Sequence, residues 1–262
     1  MFQNEICVIF EFYSLNYKPY FMTQKKQFVA SAEAKGKAKQ LRLFAILAWI
    51  IAIAGEVFAI LKLLSNDMLT WLIVAIVGIL VLAVTGSLLW KKSNRLDPAS
   101  EKDKVKFFVQ NQLGAIMSVL AFLPLVILIL INKDMDKKTK GIAGTIAIVA
   151  LLIGGIAGAD FNPPSVEKYT EQINAQTDLI KNLNNGVDLV YWTNKGNKYH
   201  LDPECQHIRN REQHSGTVKD AFEERKIGDS ELCATCRKAA EKRLGAVEVI
   251  PNTVDDDETG LD

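Results

Sequence analysis

Two short stretches near the C-terminus contain residue types that bind metal ions. The first is KYHLDPEC, in which four residues separate His200 from Cys205, and the second is LCATC, in which two residues separate Cys233 from Cys236. Zn²⁺ takes four ligands in a tetrahedron, commonly thiolate sulfur and imidazole nitrogen. The 27 residues between Cys205 and Cys233 are enough to bring the two pairs together. The spacing therefore predicts one Zn²⁺ bound by His200, Cys205, Cys233 and Cys236.

Other interpretations of these residues have less support. A redox Cys-x-x-Cys motif is expected in a longer βαβ context, and a disulfide is disfavoured in a reducing compartment. His207 is an alternative ligand, but we favour His200 because it ends a predicted strand. His214 is expected to be solvated in a polar loop, and Cys7 is remote from the cluster. A site with four protein ligands leaves no position for water or substrate, which predicts a structural ion and argues against an enzyme.

A small α+β fold is predicted to hold these ligands, and we call residues 187–245 the C-terminal module. VDLVYWT and KYHL are predicted as the strands of a hairpin joined by the turn NKGN. A short helix is expected to begin after Thr217 and to end at Gly228, and a last helix follows Cys236. Because so small a module buries little apolar surface, a bound metal would supply much of its folding free energy.

Two segments flank the C-terminal module. Residues 160–186 form a predicted amphipathic helical linker that ends at Gly186, and its apolar stripe is expected to pack within the chain. That stripe contains Val166, Tyr169, Ile173, Ile180 and Leu183. Residues 246–262 are acidic and poor in core-forming side chains, so a disordered tail is predicted.

Four long apolar stretches lie within residues 41–159 and predict a four-helix transmembrane domain. A spanning helix needs about 20 mainly apolar residues, and four such runs in succession are not expected in a soluble core. They are Leu43 to Leu64, Met68 to Trp90, Phe107 to Ile131 and Gly141 to Gly158. The short connections predict two hairpins, and Gly154, Gly155 and Gly158 predict a face of the fourth helix that a neighbouring backbone can approach closely.

The distribution of charge predicts the orientation of the helices. Residues 1–159 contain 18 Lys/Arg and 10 Asp/Glu, whereas residues 160–262 contain 13 and 20. Placing the N-terminus inside puts 14 Lys/Arg of the tails and loops inside and 5 outside. We therefore expect a multi-pass protein of the inner or plasma membrane with both termini in the cytoplasm. In the N-terminal tail, residues 1–40, translation is expected to start at Met22 rather than Met1.

Glu56 and Pro124 interrupt the apolar stretches. A carboxylate in a spanning helix usually faces the bundle and is often functional, so Glu56 is a candidate functional residue. The alternative is that Glu56 has no functional role and either reaches water or forms a hydrogen bond with Thr85 or Ser118. Pro124 is expected to kink the third helix and to free a backbone carbonyl.

The stretches VYWTNKGNKYHLDPEC and TVKDAFEERKIGDSELCATC resemble a small bacterial zinc module. It is similar to the metal-binding domain of the Ada-type DNA methyl-phosphotriester repair proteins over residues 187–238. This resemblance implies His200, Cys205, Cys233 and Cys236 as ligands. The repair domain uses four cysteines, one of which accepts a methyl group, and His200 stands at one of those places. The whole chain also resembles bacterial four-helix membrane proteins with this module at the C-terminus, which implies an architecture and no activity.

These features predict a membrane protein that anchors a cytoplasmic structural-zinc module for protein interaction or regulation. Residues 195–243 contain 11 Lys/Arg and 9 Asp/Glu, so a nucleic-acid partner has weaker support than a protein partner. A homo-oligomer in the lipid bilayer is compatible with the sequence. The alternative is a small transporter, channel or sensor in which the helices act, with Glu56 and the segment Gln110 to Gln112 as its polar groups.

Overall fold

The computed structural model describes residues 27–225 and 231–247. The predictions for Met22, Cys7, Gly228 and the acidic residues from 248 onwards lie outside this part of the chain. The described chain begins with four long helices, and each is long and apolar enough to cross a membrane, which confirms the prediction of four such helices. They are α1 (Ala32–Lys62), α2 (Leu69–Leu96, preceded by a 3₁₀ turn at Asn66–Met68), α3 (Lys104–Ile131) and α4 (Lys137–Gly158).

The four helices pack as the two predicted hairpins, α1 on α2 and α3 on α4, with α2 also contacting both helices of the second pair. Their shared core is apolar and includes Leu72, Ile76, Phe122 and Leu125. Many large apolar side chains point outwards instead, and Trp71 is 64% exposed. A bundle with an apolar outer surface is the expected form of a helical membrane domain.

Glycines allow the closest approach between α3 and α4. A Cβ atom on Gly158 would lie 2.4 Å from the carbonyl carbon of Gly114, and one on Gly154 would lie 3.2 Å from the hydroxyl of Ser118. Gly155 has no neighbouring atom within 4 Å of its Cβ position. The predicted small-residue face therefore exists, but Gly155 is not part of it.

The two ends of the bundle differ. At one end the two short loops are joined, because Asn66 donates to the Asp134 carbonyl and Asn132 donates to the Leu64 carbonyl. At the other end lie the segment before α1, the loop between α2 and α3, and the chain that follows α4. There the Phe28 N–H donates to the Thr170 hydroxyl. The segments before α1 and after α4 are therefore at the same end.

The predicted linker helix is α5 (Val166–Leu183), which begins after the capping residue Ser165. Its apolar stripe packs within the chain, as expected. Tyr169 and Ile173 pack against the end of the bundle, whereas Ile180 packs in the core of the C-terminal module. The Tyr169 hydroxyl donates to the carbonyl of Arg95 at the end of α2, so α5 contacts both parts of the molecule.

The described residues of the C-terminal module form four short strands and two helices: β1 (Val190–Thr193), β2 (Lys198–Tyr199), β3 (Gln213–Gly216), α6 (Val218–Arg225), β4 (Glu231–Leu232) and α7 (Ala234–Val247). The predicted hairpin is reduced to one antiparallel bridge between Tyr191 and His200. The main partner of β1 is β3, which the sequence did not indicate. The last helix ends at Val247, two residues inside the predicted tail.

Candidate metal centre

A parallel pairing of β2 and β4 places two of the predicted ligands side by side. Tyr199 is in register with Leu232, and the residues that follow them are His200 and Cys233. The Cys233 N–H donates to the Tyr199 carbonyl across 2.9 Å. The backbone of His200 is fixed on its other side by two hydrogen bonds with Tyr191, at 2.7 and 2.8 Å. Main-chain hydrogen bonds thus hold both residues in place independently of their side chains.

The Cys-x-x-Cys turn coincides with the start of α7. Cys233 is the residue before the helix, and its carbonyl accepts the first helical hydrogen bond from the Arg237 N–H. The backbone N–H groups of Cys236 and Thr235 act to lower the pKa of its thiol. A helix N-terminus favours negative charge through these free N–H groups, so the turn is suited to a thiolate.

The other cysteine arm is a series of tight turns after His200. The Asp202 carboxylate accepts the Glu204 N–H, and the Asp202 carbonyl accepts the Cys205 N–H. The Cys205 carbonyl in turn accepts the N–H groups of Ile208 and Arg209. Asp and Pro promote turns of this kind, and the sequence LDPEC supplies both. The turns bring Cys205 back beside His200.

The four predicted ligands meet at one buried point. One ligand atom from each of His200, Cys205, Cys233 and Cys236 lies within 4.8 Å of all the others. The Cys236 sulfur is 3.7 Å from Nδ1 of His200. With Zn–S near 2.3 Å and Zn–N near 2.0–2.1 Å, a tetrahedral site has edges of about 3.6–3.8 Å. The observed arrangement is slightly wider than this and needs only a small contraction to hold a metal ion.

The electrostatics of the ligands also fit a metal site. Burial raises the pKa of Cys236 to about 12. Burial also acts to raise the pKa of Cys233, but the N–H groups of Cys236 and Thr235, together with the side chains of Thr235 and Cys205, outweigh it, so that pKa lies below its ordinary value. Burial and the neighbouring His207 lower the pKa of His200, which favours the neutral imidazole that ligates metals. Metal binding would release the proton of Cys236, because the ligand is the thiolate.

The remaining histidines lie outside this cluster. His207 is exposed, and its Nε2 lies 3.2 Å from the Thr235 hydroxyl. His214 was expected in a solvated loop, but it lies on β3, where its ring stacks on Trp192 and its Nε2 contacts the Asn194 side chain. The strand could not be predicted from the polar sequence QHSG, because its partner, β1, lies 20 residues away in the sequence. No disulfide joins the three described cysteines.

Glu56 is buried inside the bundle, where it is 3% exposed, and it accepts a hydrogen bond from the Leu125 N–H. Its partner is thus neither Thr85 nor Ser118, and its burial does not fit the alternative in which Glu56 reaches water. Leu125 directly follows Pro124, and α3 continues through that proline.

The segment Gln110 to Gln112 forms bonds within the fold. Gln110 donates to the Asp97 carbonyl, Asn111 accepts from Asn94, and Gln112 donates to the Asp160 carbonyl. These bonds tie α3 to the ends of α2 and α4, which is a structural role.

Comparisons with protein families, with curated proteins and with solved structures find no match for this chain. The interpretation of the centre therefore depends on its own geometry and chemistry.

Proposed function

We propose that this protein is a multi-pass membrane protein that anchors a structural Zn²⁺ module, and that the module binds a protein partner or regulates the chain. The observation that carries the proposal is the convergence of three thiols and one imidazole at a buried point. Sulfur-rich tetrahedral sets favour zinc over magnesium or calcium, which prefer oxygen ligands. The resemblance of the His/Cys pattern to the Ada-type metal-binding domain supports the same metal.

A structural role fits the position of the ligands within the module. Cys205, Cys233 and Cys236 belong to the same buried cluster as Val190, Trp192 and Ile180. With two-stranded sheets and two short helices, the module has little other core. An ion at this point would link β2, the turns after it, β4 and α7, and its binding free energy would become folding free energy. Four protein ligands leave no open position, which supports a non-enzymatic role.

The proposed setting is the inner or plasma membrane, with both chain termini in the cytoplasm. The excess of Lys and Arg on one set of loops supports this orientation, and a reducing compartment suits three free thiols. A protein partner is favoured over nucleic acid because the module has no basic stripe. A homo-oligomer is compatible with the exposed apolar surface.

A second candidate function is a small transporter, channel or sensor in which the helices act and the zinc module regulates them. Glu56 favours it, because a buried carboxylate in a spanning helix is costly and is often retained for function. The hydrogen bond that Glu56 accepts from the main chain beside Pro124 offers a structural explanation for a glutamate at this position. The two candidate functions are distinguished by comparing two strains, one in which the native copy is replaced by the Glu56→Gln variant and one in which it is replaced by the Cys233→Ser variant.

The zinc proposal is tested by measuring metal in the full chain, purified in detergent under reducing conditions. We expect about one zinc per chain in the wild type and in Glu56→Gln, and a large loss of zinc in Cys233→Ser. A wild-type protein that is folded by circular dichroism but carries no metal would refute the proposal. Proximity labelling in cells with the wild type and Cys233→Ser then tests for a partner that depends on the folded module.

A further inference from the structure

Two exposed phenylalanines lie at the end of the bundle that leads into the C-terminal module. Phe161, three residues after the end of α4, is 82% exposed, and Phe108 in the second turn of α3 is 61% exposed. Gln112, one turn after Phe108, donates to the carbonyl of Asp160, the residue before Phe161. Both phenylalanines therefore lie at the junction between α3 and the end of α4. Exposed apolar side chains that share a surface mark a binding site or a membrane contact.

The length of α3 gives the depth of this junction in a bilayer. Ile131 is the last residue of α3, and Phe108 lies 23 residues before it, which is about 35 Å along the helix. The hydrocarbon core is about 30 Å thick, and the headgroup layers extend it to about 40–45 Å. Phe108 thus falls at headgroup depth. Gly158 packs against Gly114, about 26 Å from Ile131, so the chain that follows Gly158 and contains Phe161 emerges at the same depth.

Two lysines border the phenylalanines. Lys104 lies one helical turn before Phe108 on α3, and the Lys168 ammonium donates to the Asn162 side chain at 2.6 Å, next to Phe161. Lys104 is exposed and Lys168 is partly exposed. Within the described residues neither forms an ion pair. Their positive charges are therefore available to an anionic group.

Hydrogen bonds to the loop between α2 and α3 bring the two lysines towards each other. Glu167, the neighbour of Lys168, accepts from the Ser100 hydroxyl and from the Glu101 N–H. These loop residues directly precede the start of α3 at Lys104. The first turn of α5 is thus held beside the first turn of α3, and the Glu167 carboxylate is engaged by the loop.

Two other carboxylates close to the lysines have roles in the fold. Asp103 caps α3 by accepting the Lys106 N–H. Asp160 is buried, and its side chain accepts the Asn162 N–H. The exposed surface of the junction consequently combines two aromatic rings with two ammonium groups.

We propose that Lys104, Phe108, Phe161 and Lys168 form a binding site for an anionic phospholipid, which we call the lipid site. The two lysines bind the phosphate, since basic residues next to a membrane attract anionic headgroups. The phenylalanines and the apolar surface of the bundle contact an acyl chain, as apolar side chains do at the boundary between headgroups and acyl chains. The lipid links α3 to α5, the helix that connects the bundle to the C-terminal module. The inference rests on the proposed membrane setting and is independent of the metal centre.

The first test titrates the full chain, purified in detergent, with phosphatidylglycerol or phosphatidylcholine and counts bound lipids by native mass spectrometry. We expect phosphatidylglycerol to bind more tightly and Lys104→Gln with Lys168→Gln to weaken its binding about tenfold, since each Lys near an anionic headgroup contributes several-fold. Excess inorganic phosphate is expected to leave the lipid bound, because it has no acyl chain. Equal binding of the two lipids, or displacement by phosphate, would overturn the proposal.

Lys35→Gln with Lys39→Gln is the matched control. Both lysines are exposed on α1 at the same end of the bundle. Lys35 lies 27 residues before the last residue of α1, as Lys104 does before the last residue of α3, so the control removes the same charge at a similar depth. We expect this variant to bind phosphatidylglycerol like the wild type. An equal loss of affinity in the two double variants would show a general attraction to the basic end of the bundle and would refute the lipid site.

The second test uses phosphatidylglycerol with a photoreactive acyl chain in liposomes that contain the full chain. Peptide mapping is expected to find the label concentrated on the peptide that contains Phe161 in the wild type and the control, and several-fold less of it there in Lys104→Gln with Lys168→Gln. Flotation of the same samples with the liposomes reports on the membrane setting. A chain that floats but is labelled evenly over its four long helices refutes the lipid site alone, whereas a chain that does not float refutes both proposals.

Discussion

The carboxylate of Glu56 on α1 accepts a hydrogen bond from the backbone N–H of Leu125 on α3, at 3.3 Å. The two residues are 69 positions apart, and both are buried in the core of the bundle. This contact connects the first hairpin to the second next to Pro124, where the regular hydrogen bonding of a helix is interrupted.

Replacing Glu56 with Leu is expected to destabilise the bundle by about 1–2 kcal/mol, because the buried hydrogen bond between α1 and α3 is lost. Glu56→Gln keeps an acceptor oxygen and is expected to cost less. Thermal unfolding in detergent micelles measures both, with Val57→Leu on the exposed face as the control. An unfolding midpoint of Glu56→Leu equal to that of the control would show that the hydrogen bond contributes nothing.

The glycines of α4 give a matched pair of substitutions. Gly158→Ala places a methyl group 2.4 Å from the Gly114 backbone, which cannot move aside as a side chain can. We expect a loss of about 1–3 kcal/mol, as for other overpacked sites. Gly155→Ala meets no atom within 4 Å and is expected to be neutral or slightly stabilising, since Ala is the better helix former. Similar unfolding midpoints for the two variants would contradict the close contact between α3 and α4.

Measuring the metal content of variants distinguishes which of the two histidines near Cys205 is a ligand. His200 contributes Nδ1 to the cluster, whereas His207 is exposed beside Thr235. We expect His200→Ala to lose most of its zinc and His207→Ala to keep close to one ion per chain, as measured by mass spectrometry of the metal. Retention in His200→Ala with loss in His207→Ala would identify His207 as the ligand.

Metal removal is expected to loosen a second part of the molecule. Val218 and Ala221 of α6 lie in the core that contains the ligands, whereas Phe222 contacts Tyr169 and Phe28 at the end of the bundle. Because α6 belongs to both clusters, a chelator should raise amide hydrogen exchange in α6 and also at Phe28, whose N–H is bound to Thr170. The Asp136 N–H, bound to Asn66 at the far end, serves as the control. Faster exchange confined to α7 would show that the clusters are independent.

The sequence predicted the features that depend on local pattern. Four apolar runs indicated four helices because length and composition alone determine whether a helix can span a bilayer. The grouping of His200, Cys205, Cys233 and Cys236 was predicted from the spacing within each pair, and one possible ligand atom of each lies within 4.8 Å of the others. Thr217 was predicted to cap the short helix, and its hydroxyl accepts the Asp220 N–H.

Features that depend on distant partners were not predictable in this way. Strand β3 has the sequence QHSG, which has no apolar alternation and is a strand only because β1 pairs with it. The two-residue β4 is likewise defined by its pairing with β2. The partner of Glu56 is a backbone group, and no side-chain pattern could identify it. The orientation of Gly155 depended on the rotation of α4 about its axis, which three closely spaced glycines do not determine.

The joined loops at the far end of the bundle impose an order on biogenesis. Asn132 is made 68 residues after Leu64, whose carbonyl it binds. At a synthesis rate of about 5–20 residues per second, the first hairpin waits for about 3–14 s before that partner emerges. The contact between the loops therefore cannot form before α3 has been made, and it fixes the end of α3 beside the first hairpin.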